Sequence, residues 1–490
     1  MGCLLGIDIG TMGTKLAVMA SDGSVVHAGT RKHAVSQPHP GWREEDPEQV
    51  WWQDVVWLID SAIQEKRINA QQVMGIGVSG LVTALTPMDA SGATVRPAIL
   101  YSDQRAGAEG IWLSQLLGSK IRLSQILPKL VWMRTHEPDN FARVAMILNP
   151  HSYIVYRLTG KYSSDFDTAN EFGGVFDPVR LGWDTEKCQS LGFDPDCLPK
   201  LYSTTGIVGK VTPEAARCTG LSPGIPVIAG TGDSFASLLT AGVWQAGQTM
   251  VYLGTTGTAI SCHKPLKDVV DTLHVSQQPE VVTFEAYLSA CGQTLEWFYN
   301  QCTDRTLSFA ELDEATKNIP HGSEGLLFLP HLMGSAQAGR SPEMRGTLVG
   351  LEPSHTNLHI YRAILEGVAF EIKSGLSASR HRPDRIAAAG GGSRSSLWLQ
   401  ILADVLELPV EQTCTGNSAV GTAFLTGFAL GVFSGFQQIR ESTNPVQWIF
   451  KPQPPISAHY REIHDIYERL HQDLADSYAA LNKIKRDGLA

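Results

Sequence analysis

Short apolar runs alternate with longer stretches of helical apolar spacing along most of the chain. Five runs that read as strands are each followed by Gly or Ser: Leu4–Ile9, Val73–Val78, Val227–Ala229, Met250–Leu253 and Ile386–Ala389. Strand runs separated by helical patterns are typical of α/β proteins. With 490 residues the chain exceeds the ~100–200 residues of one domain, so we expect two large domains.

A G-T-x-G-T sequence occurs twice, at Gly10–Thr14 and at Gly254–Thr258. The offset is almost half the chain, which predicts two related halves that meet near 241–249 and each contain one Gly/Thr hairpin. Two unrelated turns would give the same pattern, because both residue types are common there. Glycine lets backbone N–H groups approach an anion closely. The predicted phosphate ligands are Gly10, Thr11, Gly13, Thr14, Lys15, Gly254, Thr255 and Thr256.

Two carboxylates stand where predicted strands end. Asp8 precedes the first hairpin, where a carboxylate can hold Mg²⁺ through its water shell. Asp233 follows Gly232 after an apolar run, where it can accept a proton from a substrate hydroxyl. The alternative for Asp233 is an aspartate that only caps a turn.

The C-terminal half contains a second glycine-rich motif and a helical stripe. Gly390–Ser396 follows a strand and opens a helix that extends to about Leu408, which suggests a nucleotide cradle. The motif lacks the third glycine of a dinucleotide fingerprint, and no P-loop sequence occurs. Apolar residues at steps of three and four predict an amphipathic C-terminal helix used in core or dimer packing: Ile463, Tyr467, Leu470, Leu474, Tyr478 and Leu481.

Composition limits the class of partner. The net charge of −10 argues against nucleic-acid binding and favours a small molecule. The eight dispersed cysteines form no C-x-x-C pair, so we expect reduced, mostly buried thiols and a cytoplasmic protein. No leader and no run of ~18 apolar residues is visible, so no membrane association is expected.

Three further motifs carry a resemblance to a known family. They are Pro40–Pro47, which reads P-G-W-R-E-E-D-P, Lys129–Trp132 with His136–Pro138, and the segment from Gly346–Leu351 to His359–Glu366. Together with the two hairpins they are similar to the FGGY carbohydrate kinases of the actin/hexokinase superfamily, most of all to the xylulokinase branch.

The resemblance implies an α/β fold of two related actin/hexokinase-like (ribonuclease H-like) domains with an active-site cleft between them. Residues 1–244 would form the sugar-binding domain and residues 245–490 the nucleotide-binding domain. The implied reaction is ATP- and Mg²⁺-dependent phosphorylation of a ketopentose, D-xylulose to D-xylulose 5-phosphate. Asp233 would be the catalytic base, and Asp8 and Asp233 would lie at the metal. The implied adenosine-side residues are Gly292, Gln293, Gly391, Gly392 and Ser396, and the implied sugar-side residues are Leu81, Val82, Thr83, Asp103 and Asp233.

Two departures leave the sugar open. The family's G-Q-M-H-G reads Gly80–Ala84 here, as G-L-V-T-A, and its G-E-R-x-P stretch reads G-S-A-Q-A at 334–338. Another sugar, a polyol or a sugar acid such as gluconate, ribulose or glycerol is therefore the alternative substrate. For Asp103 the alternative is a surface ion pair within a loop. An ATP-driven chaperone or filament protein and a silent sugar-binding regulator are the rival functions.

Overall fold

The computed structural model describes residues 2–264, 282–335, 337, 339–379, 382–413, 417–437 and 446–487. These residues form two compact units. Unit 1 comprises residues 2–240 and 417–437, and unit 2 comprises the other described residues, beginning at Ala241. The predicted division into 1–244 and 245–490 differs from these units, because residues 417–437 pack with unit 1. Ala336, Ala338 and Cys414 lie outside the described residues.

Unit 1 contains fifteen strands in its described residues. They are β1 (Cys3–Gly10), β2 (Gly13–Ala20), β3 (Val25–Lys32), β4 (Glu44–Glu45), β5 (Val73–Gly80), β6 (Thr86–Met88), β7 (Ala98–Ile99), β8 (Met146–Leu148), β9 (Ser163–Asp165), β10 (Phe176–Asp177), β11 (Gly182–Trp183), β12 (Lys200–Tyr202), β13 (Ile207–Lys210), β14 (Pro226–Ile228) and β15 (Thr231–Gly232). Its first nine helices are α1 (Gln53–Gln64), α2 (Gly107–Leu117), α3 (Ile126–His136), α4 (Pro138–Ala142), α5 (Pro150–Thr159), α6 (Phe166–Asn170), α7 (Thr185–Ser190), α8 (Pro213–Thr219) and α9 (Asp233–Thr240).

Unit 2 contains the remaining described strands. They are β16 (Gln248–Leu253), β17 (Gly257–Cys262), β18 (Val282–Leu288), β19 (Leu327–Leu329), β20 (Thr347–Val349), β21 (Arg385–Ala389), β22 (Val410–Thr413) and β23 (Val446–Phe450). The later helices are α10 (Gly292–Cys302), α11 (Phe309–Thr316), α12 (Asn357–Ala378), α13 (Ser396–Leu406), α14 (Ser418–Ala429), α15 (Pro454–Asp473) and α16 (Ala475–Asp487). Of these, α14 belongs to unit 1.

The main sheets of the two units have the same strand arrangement. In unit 1 the order is β3-β2-β1-β5-β14-β13, and in unit 2 it is β18-β17-β16-β21-β22-β23. In both, an antiparallel hairpin and a third antiparallel strand are followed by two parallel pairs and a last antiparallel pair. The hairpins β1–β2 and β16–β17 contain the two G-T-x-G-T sequences. The predicted α/β fold with two related units is therefore confirmed, as are all five predicted strands.

Helix α14 covers one face of the unit 1 sheet at very short range. A Cβ at Gly6 on β1 would lie 1.9 Å from the carbonyl oxygen of Ala419, and a Cβ at Gly421 would lie 2.0 Å from that of Ala236 on α9. Only glycine permits such contacts between backbones. The strand β1 is buried along almost its whole length because both of its faces are covered.

The C-terminal stripe occupies two helices, because the helix predicted as one is interrupted at Leu474, the C-cap of α15. Tyr467 is fully buried and Tyr478 nearly so, which makes this part of the stripe core of unit 2. Leu481 is 63% exposed. Among the described residues, no helix combines the length and apolar character that crossing a bilayer requires.

Candidate functional sites in unit 1 and unit 2

Three parallel strands of unit 1 end side by side. Asp8 on β1 lies opposite Ser79 on β5, which lies opposite Thr231 on β15, and one residue later Ile9, Gly80 and Gly232 are in the same register. At the carboxyl ends of these strands the chain continues into three neighbouring segments. They are the Gly10–Gly13 hairpin, the loop that begins at Leu81, and helix α9, which begins with Asp233. Ligands bind at such carboxyl ends of parallel strands in many α/β folds.

The carboxylate of Asp8 is buried and held on both oxygens. Ser79 Oγ donates to Asp8 Oδ1 at 2.9 Å, and Lys15 Nζ donates to Asp8 Oδ2 at 3.1 Å. Thr422 on α14 donates in turn to Ser79 Oγ at 2.8 Å. Helix α14 thus completes the chain of contacts that orients this carboxylate, although it lies more than 400 residues away in sequence.

Asp233 is half-buried at the first turn of α9. Burial and the nearby charge of Asp8 raise the pKa of its carboxyl group to about 6, against the opposing effects of Lys15 and of hydrogen bonds from Ser234. Two predicted site carboxylates are thus close enough to interact electrostatically. A perturbed pKa caused by burial together with a specific charged neighbour is a feature of functional sites.

A buried hydrogen-bond network of Asp54 and His33 holds the first hairpin in place. Asp54 Oδ2 accepts a hydrogen bond from Thr14 Oγ1 at 3.1 Å and lies 2.7 Å from His33 Nδ1, while His33 Nε2 lies 3.0 Å from the Gly10 carbonyl oxygen. Burial alone would lower the pKa of His33, but the carboxylates of Asp54 and Glu45 outweigh it and raise that pKa. When protonated, the imidazole of His33 can donate both to Asp54 and to the Gly10 carbonyl oxygen. Because Asp54 also accepts from Thr14, these bonds hold both strands of the hairpin.

The loop after β5 lies against Gly232. A Cβ at Gly232 would come within 2.4 Å of Val82 Cγ2, and it would be 3.8 Å from Asp167 Oδ2. Leu81 donates its N–H to the Ile9 carbonyl oxygen at 3.1 Å, which continues the pairing of β1 with β5. The structure therefore brings the predicted sugar-side loop next to Asp233.

Lys129 fixes the far end of this loop. Its fully buried ammonium group donates to the carbonyl oxygens of Thr83 at 2.8 Å and Gln125 at 3.1 Å, and also to that of Ser124. Burial lowers the pKa of Lys129 to about 7, although Asp103 and Glu171 raise it. A buried ammonium group that donates to three carbonyl oxygens sets the local backbone geometry firmly.

Asp103 is 1% exposed, so its contact with Arg105 is not a surface ion pair. Oδ1 accepts from the N–H and Nε of Arg105 at 3.0 and 2.8 Å, and Oδ2 accepts from Arg105 Nη2 at 2.7 Å and from the N–H of Arg43 at 2.6 Å. These four bonds use the acceptor positions of a carboxylate. A sugar hydroxyl could therefore bind Asp103 only by replacing one of them, and the sugar-binding role of Asp103 stays a prediction.

The second hairpin and helix α10 form one assembly in unit 2. The N–H groups of Cys291 and Gly292 donate to the carbonyl oxygens of Thr255 and Gly254 at 2.9 and 2.8 Å. A Cβ at Gly292 would lie 2.6 Å from the Gly254 carbonyl oxygen, so glycine is required at this position. The start of α10 is therefore attached to the predicted phosphate loop.

A pocket of about 470 Å³ opens beside this assembly. Thr255, Gly292 and Gln293 line it, so it combines residues predicted on the phosphate side with residues predicted on the adenosine side. Its other lining residues are Glu296, Tyr299, Asn300 and Phe309. A volume of a few hundred Å³ with aromatic walls and a few polar groups suits a small organic ligand.

The Gly390–Ser396 motif lies at the neighbouring strand end. A Cβ at Gly392 would lie 2.8 Å from Leu253 Cβ, on the residue before the second hairpin, whereas a Cβ at Gly391 would meet nothing within 4 Å. Ser395, not Ser396, caps helix α13, because its Oγ accepts from the N–H of Trp398 at 3.0 Å. Gly391 and Ser396 are exposed and do not line the pocket beside α10.

Several residues that support the site were not among the predicted site residues. Buried hydrogen bonds to the hairpin or to the loop after β5 are made by Asp54, His33 and Lys129. On α6, Oδ2 of Asp167 would lie 3.8 Å from a Cβ at Gly232. Tyr101 interacts with Thr11 by a hydrogen bond and with the charge of Asp233, while burial raises its pKa. The sequence feature that could have identified Lys129 and Asp54 is a charged residue within or next to an apolar helical run.

Comparison with known proteins gives the family. Residues 3–240 match the N-terminal domain and residues 249–430 the C-terminal domain of the FGGY family of carbohydrate kinases. A xylulose kinase of Escherichia coli (strain K12) is 30% identical over 96% of this chain and 99% of its own, and one of Bacillus subtilis (strain 168) is 27% identical over 99% and 100%. The crystal structure of xylulose kinase from Rhodospirillum rubrum, 28% identical, superposes with a TM-score of 0.84 over 97% of this chain and 100% of that one. The chain therefore belongs to the FGGY family of carbohydrate kinases.

Proposed function

We propose that the chain transfers the γ-phosphoryl group of ATP to D-xylulose and forms D-xylulose 5-phosphate, with Asp233 as the general base. One observation carries the proposal: a carboxyl group with a pKa of about 6 lies beside Asp8 and Lys15 at the strand ends of unit 1. The substrate is inferred from full-length relatives that are xylulose kinases.

Asp233 suits proton removal from a sugar hydroxyl. With a pKa of about 6 the carboxylate is ionised near neutral pH, yet it is more basic than an ordinary aspartate. The residue before Asp233, Gly232, lies against Val82 of the predicted sugar loop. Lys129 and the Ile9 carbonyl hold that loop, which limits how far a bound sugar can move from the carboxylate.

Phosphoryl transfer depends mainly on positioning and on stabilising negative charge. In unit 1 the ammonium group of Lys15 and the N–H groups of the Gly10–Gly13 hairpin are the groups that would bind phosphate oxygens. In unit 2 the Gly254–Thr256 loop would bind phosphate, and the pocket lined by Gly292 and Gln293 would take the nucleoside.

The carboxylates present fit Mg²⁺. Oxygen ligands suit this ion, and a divalent cation would offset the repulsion between Asp8 and Asp233 that raises the pKa of Asp233. Both oxygens of Asp8 already accept hydrogen bonds, and Asp8 and Asp233 are the residues that would hold the ion. When bound, Mg²⁺ supplies positive charge to the phosphate oxygens of ATP.

A coupled ADP-release assay tests the proposal. The wild-type chain is assayed with D-xylulose, L-xylulose, L-ribulose, gluconate and glycerol, and the product is identified by ³¹P NMR. We expect the highest kcat/KM for D-xylulose, phosphorylation at the 5-hydroxyl, and little ADP release without sugar. A clearly higher kcat/KM for another compound would refute the assigned substrate, and sugar-independent ATP hydrolysis at the full rate would refute the kinase reaction.

A further inference from the structure

Three polar side chains of unit 2 converge in a place that the reaction does not use. His331 follows β19, Glu371 lies in the middle of α12, and His471 lies near the end of α15. All three are buried, with at most 4% exposed surface. The two Nε2 atoms are 2.8 Å apart, and Glu371 Oε2 lies 3.9 Å from Nε2 of His331 and 3.6 Å from that of His471.

These separations match the edges of a metal coordination sphere. Zinc binds imidazole nitrogen and carboxylate oxygen at ~2.0–2.2 Å, so neighbouring ligand atoms of a tetrahedral site are ~3.3 Å apart. The three measured separations scatter around that value, and shifts of a few tenths of an ångström would equalise them. Two imidazoles and one carboxylate form a common set of protein ligands for zinc, with a fourth position left for water.

The outer contacts orient the ligand atoms. His471 Nδ1 lies 2.8 Å from the Tyr467 carbonyl oxygen, so this nitrogen carries the proton and Nε2 presents its lone pair to the cluster. The hydroxyl of Tyr467 donates to Glu371 Oε2 at 2.9 Å. The first bond is on the outer ring nitrogen of His471, and the second is on Oε2 of Glu371, the oxygen that faces both histidines. Both bonds hold the ligand side chains in place.

The guanidinium group of Arg340 contacts the cluster through Glu371. The two Nε2 atoms are 2.8 Å apart, a hydrogen bond in which one nitrogen must accept and therefore carries no proton. Arg340 contacts Glu371 but is also paired with Glu468, through Nη1 at 3.0 Å and Nη2 at 2.5 Å. Glu468 can therefore keep Arg340 paired when Glu371 binds a metal ion.

We propose that His331, Glu371 and His471 form a zinc-binding site in unit 2, separate from the carboxylates of unit 1. The site ties the segment after β19 to α12 and α15. Without metal, His331 Nε2–H donates to His471 Nε2, which is the competing arrangement. Zinc binding requires His331 to carry its ring proton on Nδ1 instead, so no proton is released.

Zinc titration of the full chain tests the site. Protein freed of metal by a chelator is titrated with ZnCl₂ against a chromophoric competitor, in a Cys218→Ser background that removes the exposed thiol. We expect one zinc ion per chain with a Kd below about 1 µM, and at least ~100-fold weaker binding in His331→Ala and in His471→Ala. The matched control is His464→Ala, two helical turns from His471 on α15, which should change the Kd less than ~3-fold.

Two further measurements keep the test decisive if an alanine variant does not fold. Tyr467→Phe keeps the ring but removes the hydrogen bond to Glu371, and it should weaken zinc binding ~10-fold. X-ray absorption of the zinc-loaded protein should show only nitrogen and oxygen ligands at ~2.0–2.2 Å, with imidazole scattering. The proposal would be overturned if the chain failed to bind zinc at micromolar concentration, if both histidine variants bound zinc as tightly as the chain without those substitutions, or if sulfur ligands appeared at ~2.3 Å.

Discussion

Replacing Asp233 by Asn is expected to abolish most turnover while making the protein more stable near neutral pH. The carboxyl group of Asp233 has a pKa of about 6 in the folded chain, against an ordinary value of 3.8. Above pH 6 the group is ionised in both the folded and the unfolded chain, but ionisation costs more in the folded one. The difference of about two pH units corresponds to about 3 kcal/mol of destabilisation.

The sign of the effect sets its pH dependence. Well below pH 3.8 the carboxyl group is protonated in both states and has no effect on stability. The destabilisation grows as the pH rises through the unfolded pKa of 3.8 towards the folded pKa of about 6, reaches roughly half its value near pH 5, and approaches its full value above pH 6. Asparagine cannot ionise, so Asp233→Asn should raise the free energy of unfolding by up to about 3 kcal/mol at pH 7.5 and by about half as much at pH 5.

Urea denaturation at the two pH values, together with steady-state kinetics, separates a catalytic base from a turn cap. A base predicts kcat lowered by ~10²–10⁴. The matched control is Asp54→Asn, which should destabilise the chain, because Asp54 binds Thr14, His33 and Arg31 through its carboxylate. An Asp233→Asn variant that is less stable than wild type at pH 7.5 and keeps kcat within ~10-fold would show that Asp233 is a turn cap and not the base.

Four other outcomes are expected. The kcat/KM for the sugar should fall below about pH 6 with unit slope; Asp8→Asn should move the midpoint of that fall to lower pH and Lys15→Met to higher pH, and unmoved midpoints would contradict the assignment to Asp233. Lys129→Met should raise the KM for the sugar ~10-fold or more and leave the KM for ATP unchanged, because Lys129 holds the Thr83 carbonyl; equal effects on both would contradict this. Thr83→His with Leu81→Gln and Val82→Met should change the order of sugars by kcat/KM at an unchanged KM for ATP, whereas an equal loss for every sugar would mean that the loop does not contact the sugar. Gly6→Ala should cost more than ~2 kcal/mol in urea denaturation, since its Cβ would meet the backbone of α14, whereas Gly107→Ala, with open space, should cost little.

The parts of the fold that depend on local sequence could be predicted. Each main-sheet strand recognised in the sequence is an apolar run that ends at a Gly or Ser, and each hairpin has its own G-T-x-G-T. Asp8 and Asp233 were recognisable because one lies near the end of a buried strand and the other directly after one, where ligands bind in many α/β folds. These features need only a few consecutive residues, so a pattern in the sequence is enough to find them.

The packing of α14 with unit 1 could not be predicted from a short stretch of sequence. Its place depends on glycines far away in sequence: Cβ atoms at Gly6, Gly75 and Gly77 would each collide with α14 or with Leu430, which follows it. These glycines occupy buried positions of β1 and β5, where β-branched residues are usual. Glycine inside a buried strand therefore indicates close packing of another segment, but the sequence alone does not identify that segment.

Comparison of the two G-T-x-G-T hairpins shows why the carboxylate and ammonium groups of the candidate site belong to unit 1 alone at these positions. The two G-T-x-G-T sequences are 244 residues apart, and at the same offset Asp8 corresponds to Tyr252 and Lys15 to Ala259. The second hairpin thus keeps the glycines and hydroxyls that are predicted to bind phosphate but has neither the carboxylate nor the ammonium group. Because the strand pairing of the two sheets is the same, this difference comes from side chains and not from the fold. We infer that unit 2 is specialised for holding the nucleotide, and that metal binding and proton removal depend on residues that only unit 1 has at these positions.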